Sequence, residues 1–252
     1  MGAVGLTLIL GAYIALSEFR HSANPLDQMT PTIGMVWDAF KVSVTPDEFT
    51  GEVALTADIA ASLSLLLYGF SLAVSVSLFL GLHAGALPWV NALLDPVLKL
   101  FAYIPTIALL FLIFVLFGYG QGAKIFLIFF ATVVPLTRAL TLHVQGISEK
   151  QIWKAETLGA TNFEIIWVTL RRLTEPKFLD DLRLQLGSAW IYLIIAELIN
   201  APAGLGYRIN VASRNMNVAT ILVYVIVISL LAFLMDRAIW LLNQRRNRWI
   251  SA

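Results

Sequence analysis

The sequence predicts an all-α integral membrane protein of about six transmembrane helices, with a helix–turn–helix on its longest cytoplasmic loop. Three observations predict it. Apolar residues fill 59% of the 252 positions and Asp, Glu, Lys and Arg only 13%, whereas about a quarter of a soluble domain is charged. Mean hydropathy is +0.80. Charge-free windows recur at the roughly 20-residue length that about 30 Å of hydrocarbon demands. Helices follow, because a backbone amide in lipid must be bonded within its own segment.

Met1–Ser17 carries no charge and supplies a first span, ending at Glu18-Phe19-Arg20. It lacks a basic leader and a small-residue cleavage site, so it reads as a retained helix and not a cleaved signal. Residues 22–56 are polar and contain Asn24-Pro25, Thr30-Pro31 and Thr45-Pro46, which makes them an extramembrane connection. Ile59–Leu94 has no Asp, Glu, Lys or Arg; it fits one span of roughly 20 residues and a turn at Gly81–Pro88. Leu100–Ala123 gives the next span, beginning near Asp95-Pro96 and ending at Gly118-Tyr119-Gly120. Ile125–Val144 is interrupted only by Arg138 and Leu184–Leu205 only by Glu197, while Asn215–Met235 is charge-free. Pro105 and Pro135 fall inside spans and kink them. Ala60–Ser77 is rich in Gly, Ala and Ser, which suits close helix packing. Two parts result: 1–58, a first span with its external connection, and 59–252, the membrane core, which includes the loop 144–182.

Basic residues near the span ends set the orientation. One side carries Lys150, Lys154, Arg171, Arg172, Lys177, Arg183, Arg237, Arg245, Arg246 and Arg248; the other carries Arg20, Lys41, Arg208 and Arg214, with Lys124 at its edge. The first side is cytoplasmic. Both termini then lie inside, 18–58 lies outside, and 144–182 lies inside.

Composition also excludes. There is no cysteine, hence no disulfide and no thiolate ligand or nucleophile, and a net charge of +1 implies no nucleic-acid partner. His21, His83 and His143 are too scattered for a metal-ligand pattern, and no cofactor is expected. No GxxxxGK[ST] sequence is present, so the chain cannot cradle nucleotide phosphates, and it is not expected to be an enzyme. Asp180-Asp181 reads as an acidic pair at the start of the fifth span, favoured by the helix dipole. Glu197 is an acid within an apolar span, a costly position; it reads as a structural carboxylate bonded to the Gly204–Tyr207 turn or as a gating group. Arg208 and Arg214 read as solvated loop charges, and Arg245-Arg246-Asn247-Arg248 as a topological anchor.

Gly146–Asp181 is too long for a connector and too well patterned for disorder. Ser148-Glu149-Lys150-Gln151 reads as a capping box, Glu149–Leu158 as a helix, and Gly159 as its left-handed stop. Thr161-Asn162-Phe163-Glu164 is a second capping box, opening a helix through Ile165, Ile166, Trp167 and Leu170. Ile152, Trp153, Leu158, Phe163, Ile166 and Trp167 are large apolar groups outside the membrane. They form an interaction surface, or else the two helices lie along the membrane face.

Lys154-Ala155-Glu156-Thr157-Leu158-Gly159-Ala160 resembles the cytoplasmic "EAA…G" loop of ABC importer permeases. Leu182–Trp190, Ala196-Glu197-Leu198 and Gly204-Leu205-Gly206-Tyr207 are similar to permeases of the nitrate/sulfonate/taurine type. Ile104-Pro105, Leu109–Gly120 and Pro31–Phe40 fit the same pattern. The resemblance implies the permease subunit of a prokaryotic inner-membrane importer that moves a small anion by alternating access. It implies three partners besides the bilayer: a cytoplasmic ATPase, an external solute-binding protein and a second copy of the chain. Ala155, Gly159 and Ala160 occupy motif positions, and Trp153, Lys154, Glu156 and Phe163 complete the expected ATPase-coupling loop. The family's glutamate falls at Trp153, its next alanine at Lys154, and its leucine-proline at Arg171-Arg172, while Pro176 keeps the second proline. Glu197 and Pro105 are the expected translocation or gating residues. The alternative is a secondary transporter or channel, for which paired membrane charges or an inverted repeat would speak.

Overall fold

The computed structural model describes residues 2–24, 27, 29–47, 51–199 and 201–248. Among them the chain is helical, and the one pairing of extended residues is an isolated bridge between Pro46 and Val53. The helices are α1 (Gly2–Ala23), α2 (Ile33–Val44), α3 (Ala54–Ala86), α4 (Pro88–Tyr103), α5 (Leu110–Phe117), α6 (Gln121–Gln145) and α7 (Glu149–Thr157). They continue with α8 (Asn162–Ile199), α9 (Leu205–Arg214) and α10 (Val218–Arg246). Among the described residues α3, α6, α8 and α10 are long and apolar enough to cross a bilayer, and the bent pair Pro88–Tyr103 and Thr106–Phe117 has the form of a broken span or a re-entrant loop. The expected span Met1–Ser17 falls on α1; the side chains of residues 1–10, and Pro25, lie outside the described residues.

Several boundaries differ from expectation for local reasons. The connection 22–56 contains α2, capped by Thr32, whose hydroxyl accepts the amide of Met35 at 3.4 Å. Gly81 does not turn the chain: α3 runs on to Ala86, and Pro88 opens α4 after Leu87, because proline at a first helical position loses no bond. Leu100–Ala123 is not one continuous helix. Ile104 and Pro105 are extended, and the helices on either side, Pro88–Tyr103 and Thr106–Phe117, are bent by 85°. Residues before proline avoid the helical region, so Pro105 breaks where a kink was expected. Pro135 does remain inside α6. The fifth span begins well before Leu184, so Asp180-Asp181 lies in mid-helix and not at a helix start.

By its contacts the chain divides into two units, Met1–Leu63 with Glu197–Leu231, and Ser64–Ala196 with Ala232–Ala252. In the first, the α1–α2 connection is tied by side chains. Ser17 donates to the Thr30 carbonyl at 2.9 Å, Tyr13 to that of Pro31 at 2.9 Å, and Arg20 pairs with Asp27 at 2.9 Å.

In the second, α3 and α6 run parallel at close quarters. A Cβ added at Gly69, Gly81 or Gly85 would lie 2.8, 2.8 or 2.4 Å from the Cβ of Ile128, Leu140 or Val144. The intervals are equal on the two helices and are multiples of four, so a row of missing side chains on one receives a row of branched ones on the other. Leu110, Ile113 and Phe114 of α5 pack with Ala123, Leu127 and Ala196 into a closed apolar cluster. Polar side chains tie α8 to its neighbours. His143 Nε2 meets Asp181 Oδ2 at 2.7 Å, and Arg183 forks onto Asp236 at 2.8 and 3.1 Å. Arg246 pairs with Glu175, and its carbonyl accepts from Arg172 at 3.4 Å.

Candidate functional site

Residues 148–170 hold most of the expected site residues within one short stretch. Helix α7 ends in a Schellman motif: Gly159 N donates to the Glu156 carbonyl at 2.9 Å and Ala160 N to that of Ala155 at 3.0 Å. The motif needs a left-handed residue after the helix, and Gly159 supplies it at φ 83°. Ala155, Gly159 and Ala160 are therefore the bonding partners of a helix stop. Thr161 and Glu164 form a reciprocal capping box, with Thr161 N to Glu164 Oε2 at 2.8 Å and Glu164 N to Thr161 Oγ1 at 3.3 Å.

Two expectations fail here. The Ser148 side chain makes no capping bond. The segment after Thr161 is no separate short rod: it passes through a π-helical stretch, Ile165–Leu170, and continues without a break as α8.

The stretch has two faces. Ile165, Ile166 and Leu170 are buried and, with Ile152, line a cavity of about 390 Å³ against Gly85 and Val144. Trp167 packs within 6.2 Å of Phe79 and 5.8 Å of His83, ring to ring. Trp153 is 56%, Leu158 88% and Phe163 69% exposed outside that lining, with Lys154 exposed beside them, while Glu156 is exposed at the cavity's edge. Large apolar groups this open to water fit a surface that is covered by something else.

Pro105 lines a second cavity in the same unit, of about 510 Å³, with Phe101, Thr106, Phe130, Arg138 and Tyr192. Arg138 is the only charged residue in that lining, and among the described residues no hydrogen bond or ion pair engages it.

Glu197 belongs to the other unit, where it is 1% exposed. Its Oε1 accepts from the Ser62 hydroxyl at 2.7 Å and its Oε2 from the Gly206 amide at 2.8 Å. The Gly204–Tyr207 turn expected to bind it does so. Asp58, 0% exposed, sits in the same cluster: it accepts from Gly204 N at 3.0 Å, Arg208 Nε at 2.9 Å and Tyr224 Oη at 2.9 Å. Ser62 Oγ accepts from Leu205 N at 2.8 Å. Three successive amides at the start of α9 are thus met by three side chains, where a helix normally leaves its first N–H groups orphaned. Carboxylates there also gain from the helix dipole. Arg208 is accordingly no solvated loop charge but half-buried against Asp58.

Sequence reasoning missed Asp58, Ser62 and Tyr224. Asp58 stands one residue before the charge-free window Ile59–Leu94, at the end of the part that reads as external connection. Ser62 and Tyr224 look like ordinary span residues. The usable signal was the pairing of a lone arginine, Arg208, with a lone acid at a span end.

The chain matches, over residues 73–248, the family described as binding-protein-dependent transport system inner membrane component. It is 31% identical over 198 residues to the taurine transport system permease protein TauC of Escherichia coli (strain K12), covering 79% of this chain and 72% of that one. It is 22% identical over 237 residues to the nitrate import permease protein NrtB of Synechocystis, covering 94% and 84%. The fold resembles that of a chain of the MetNI methionine ABC transporter in an inward-facing form, with TM-score 0.58 and 17% identity, over 86% of this chain and all of that one. The protein belongs to the binding-protein-dependent transport family of ABC importer permeases, multi-pass components of the inner membrane.

Proposed function

We propose that this chain is the permease subunit through which a small anion, such as a sulfonate, taurine or nitrate, crosses the membrane by alternating access. In this reading a cytoplasmic ATPase drives two copies of the permease, and an external binding protein delivers the solute. Residues 59–252 form the permease core, both termini are cytoplasmic, and 144–182 faces the ATPase. The observation that carries the reading is the loop. A helix stopped rigidly at Gly159 presents Trp153, Leu158 and Phe163 to a partner. Lys154, Ala155, Glu156 and Ala160 belong to the same coupling surface, and its buried face bears on α3 and α6.

Arg138 supports the anionic class. An intramembrane cation that no ion pair engages among the described residues reads as a functional position by default, and its cavity holds Pro105 at the break between the two bent helices. Glu197 serves as a gating or structural group by holding the start of α9.

The test is reconstitution of the permease with its ATPase and binding protein in proteoliposomes. Gly159→Pro, which cannot adopt φ 83°, is expected to insert and bind the ATPase while ATP hydrolysis no longer yields uptake. Coupled transport by that variant refutes the lever role. Uptake that continues without ATP would instead support a secondary transporter.

A further inference from the structure

The cavity beside Pro105 joins apolar walls to a small set of hydrogen-bond donors. Phe101 of α4, Phe130 and Val134 of α6 and Pro105 itself wall a space of about 510 Å³, with the Phe101 and Phe130 rings edge to face at 5.3 Å. Its polar side chains are Arg138, Thr106 and Tyr192. Among the described residues no side-chain hydrogen bond or ion pair engages any of the three, and none of their polar atoms is sealed from solvent. An apolar hollow with a few polar groups is the usual form of a small-molecule site.

The guanidinium and both hydroxyls can donate, and the lining holds one cation and no acid. Arg138 and Leu142 also line a second cavity, of about 310 Å³, whose one acid, Asp95, is already paired with Lys99. A negative charge on a ligand is therefore matched here, and a positive one is not.

We propose that this cavity receives a monovalent oxyanion with an apolar substituent, in chemical class an alkanesulfonate, an inference that rests on the permease reading and narrows it. The oxyanion takes the Arg138 fork with the Thr106 and Tyr192 hydroxyls, and the alkyl chain lies against Phe101, Phe130 and Pro105. Nitrate would satisfy the first contact and leave the walls empty. Taurine would set an ammonium among apolar groups with no acid to meet it. An aromatic face offsets only part of that loss, and the Arg138 charge repels an ammonium.

The test compares propanesulfonate with taurine, in which an ammonium replaces the terminal methyl, by saturation-transfer NMR titration against the full chain in detergent. With a methyl buried in place of an unmatched charge, propanesulfonate should bind at least about tenfold more tightly. Arg138→Gln should abolish its binding, and Thr106→Val and Tyr192→Phe should each weaken it. Equal affinity for the two by the unaltered chain, or binding of neither, overturns the proposal without needing any variant to fold. So does propanesulfonate binding that survives in Arg138→Gln. ATP-driven uptake in proteoliposomes judges the permease reading separately. Uptake of taurine alongside equal binding sinks this inference alone, whereas a clear propanesulfonate preference without any ATP-driven uptake bears out the site and removes the permease reading.

Discussion

The Glu197 carboxylate lies so close to Gly204 that a Cβ on that glycine would fall 2.6 Å from it, while Gly204 itself stands at φ 132°. Both facts demand glycine, one by space and one by backbone. Gly204→Ala is therefore expected to displace the carboxylate and to lower the unfolding temperature in detergent more than Gly187→Ala, a helical site with nothing near its Cβ position. Equal shifts in a thermal scan would contradict this.

Glu197 itself can be graded. Glu197→Ala leaves the Ser62 hydroxyl and the Gly206 amide without this acceptor, at about 1–3 kcal/mol for each buried group left unsatisfied. Glu197→Gln still offers one oxygen and should lose less. Chemical denaturation of the two variants gives the order; a glutamine variant as damaged as the alanine one would mean that charge, and not acceptor number, decides.

Asp58 and Arg208 should be unequal partners. Asp58 is fully buried and serves three donors, whereas the Arg208 side chain is 34% exposed and can turn to water. Asp58→Ala is expected to destabilise more than Arg208→Ala, and the double variant to be little worse than Asp58→Ala alone. Additive effects in that cycle would count against the pairing.

Gly85 and Val144 offer a test of shape. Gly85→Ala brings two Cβ atoms to 2.4 Å, an overpacking that costs about 1–3 kcal/mol. Val144→Gly in the same chain should recover most of that loss. Failure of the second change to rescue the first would show that the contact is not the cause.

Asp27 supplies a pH dependence. The Met29 amide, the Thr30 hydroxyl and the Arg20 guanidinium hold its carboxyl below the ordinary carboxylate range. A depressed folded value stabilises above the unfolded one, about 3.9, and the benefit is lost as pH falls through the folded value. The stability gap between the unaltered chain and Asp27→Asn should be constant from neutral pH to about pH 5 and close in stronger acid.

Much of the fold was legible because its signals are local. Charge-free windows give the helices that cross a bilayer, Gly159 announces its own left-handed turn, and Thr161 with Glu164 encodes a cap three residues apart. What escaped depends on contacts distant in sequence. Asp58 meets Arg208, Gly204 and Tyr224 across about 150 residues, and no periodicity records such a meeting. Ser148 has the spacing of a capping box but not the bond, since a pattern permits a hydrogen bond without compelling it. Nor does any stop signal follow Leu170, so the π-helical passage into α8 could be found only in three dimensions. Pro105 was recognised as a disturbance, yet whether proline bends a helix or ends it depends on what surrounds it.

The matched intervals along α3 and α6 bear on how motion could travel. Val144 stands three residues before Ile147, where the chain leaves α6, and it is seated against Gly85 with no slack for a methyl group between them. Neither helix can slide or roll alone without driving branched carbons into backbone at several heights. Anything that displaces residues 147–161 must carry both helices as a double strut, so a thrust at one end is felt along two helices long enough to cross a bilayer rather than absorbed at the first joint.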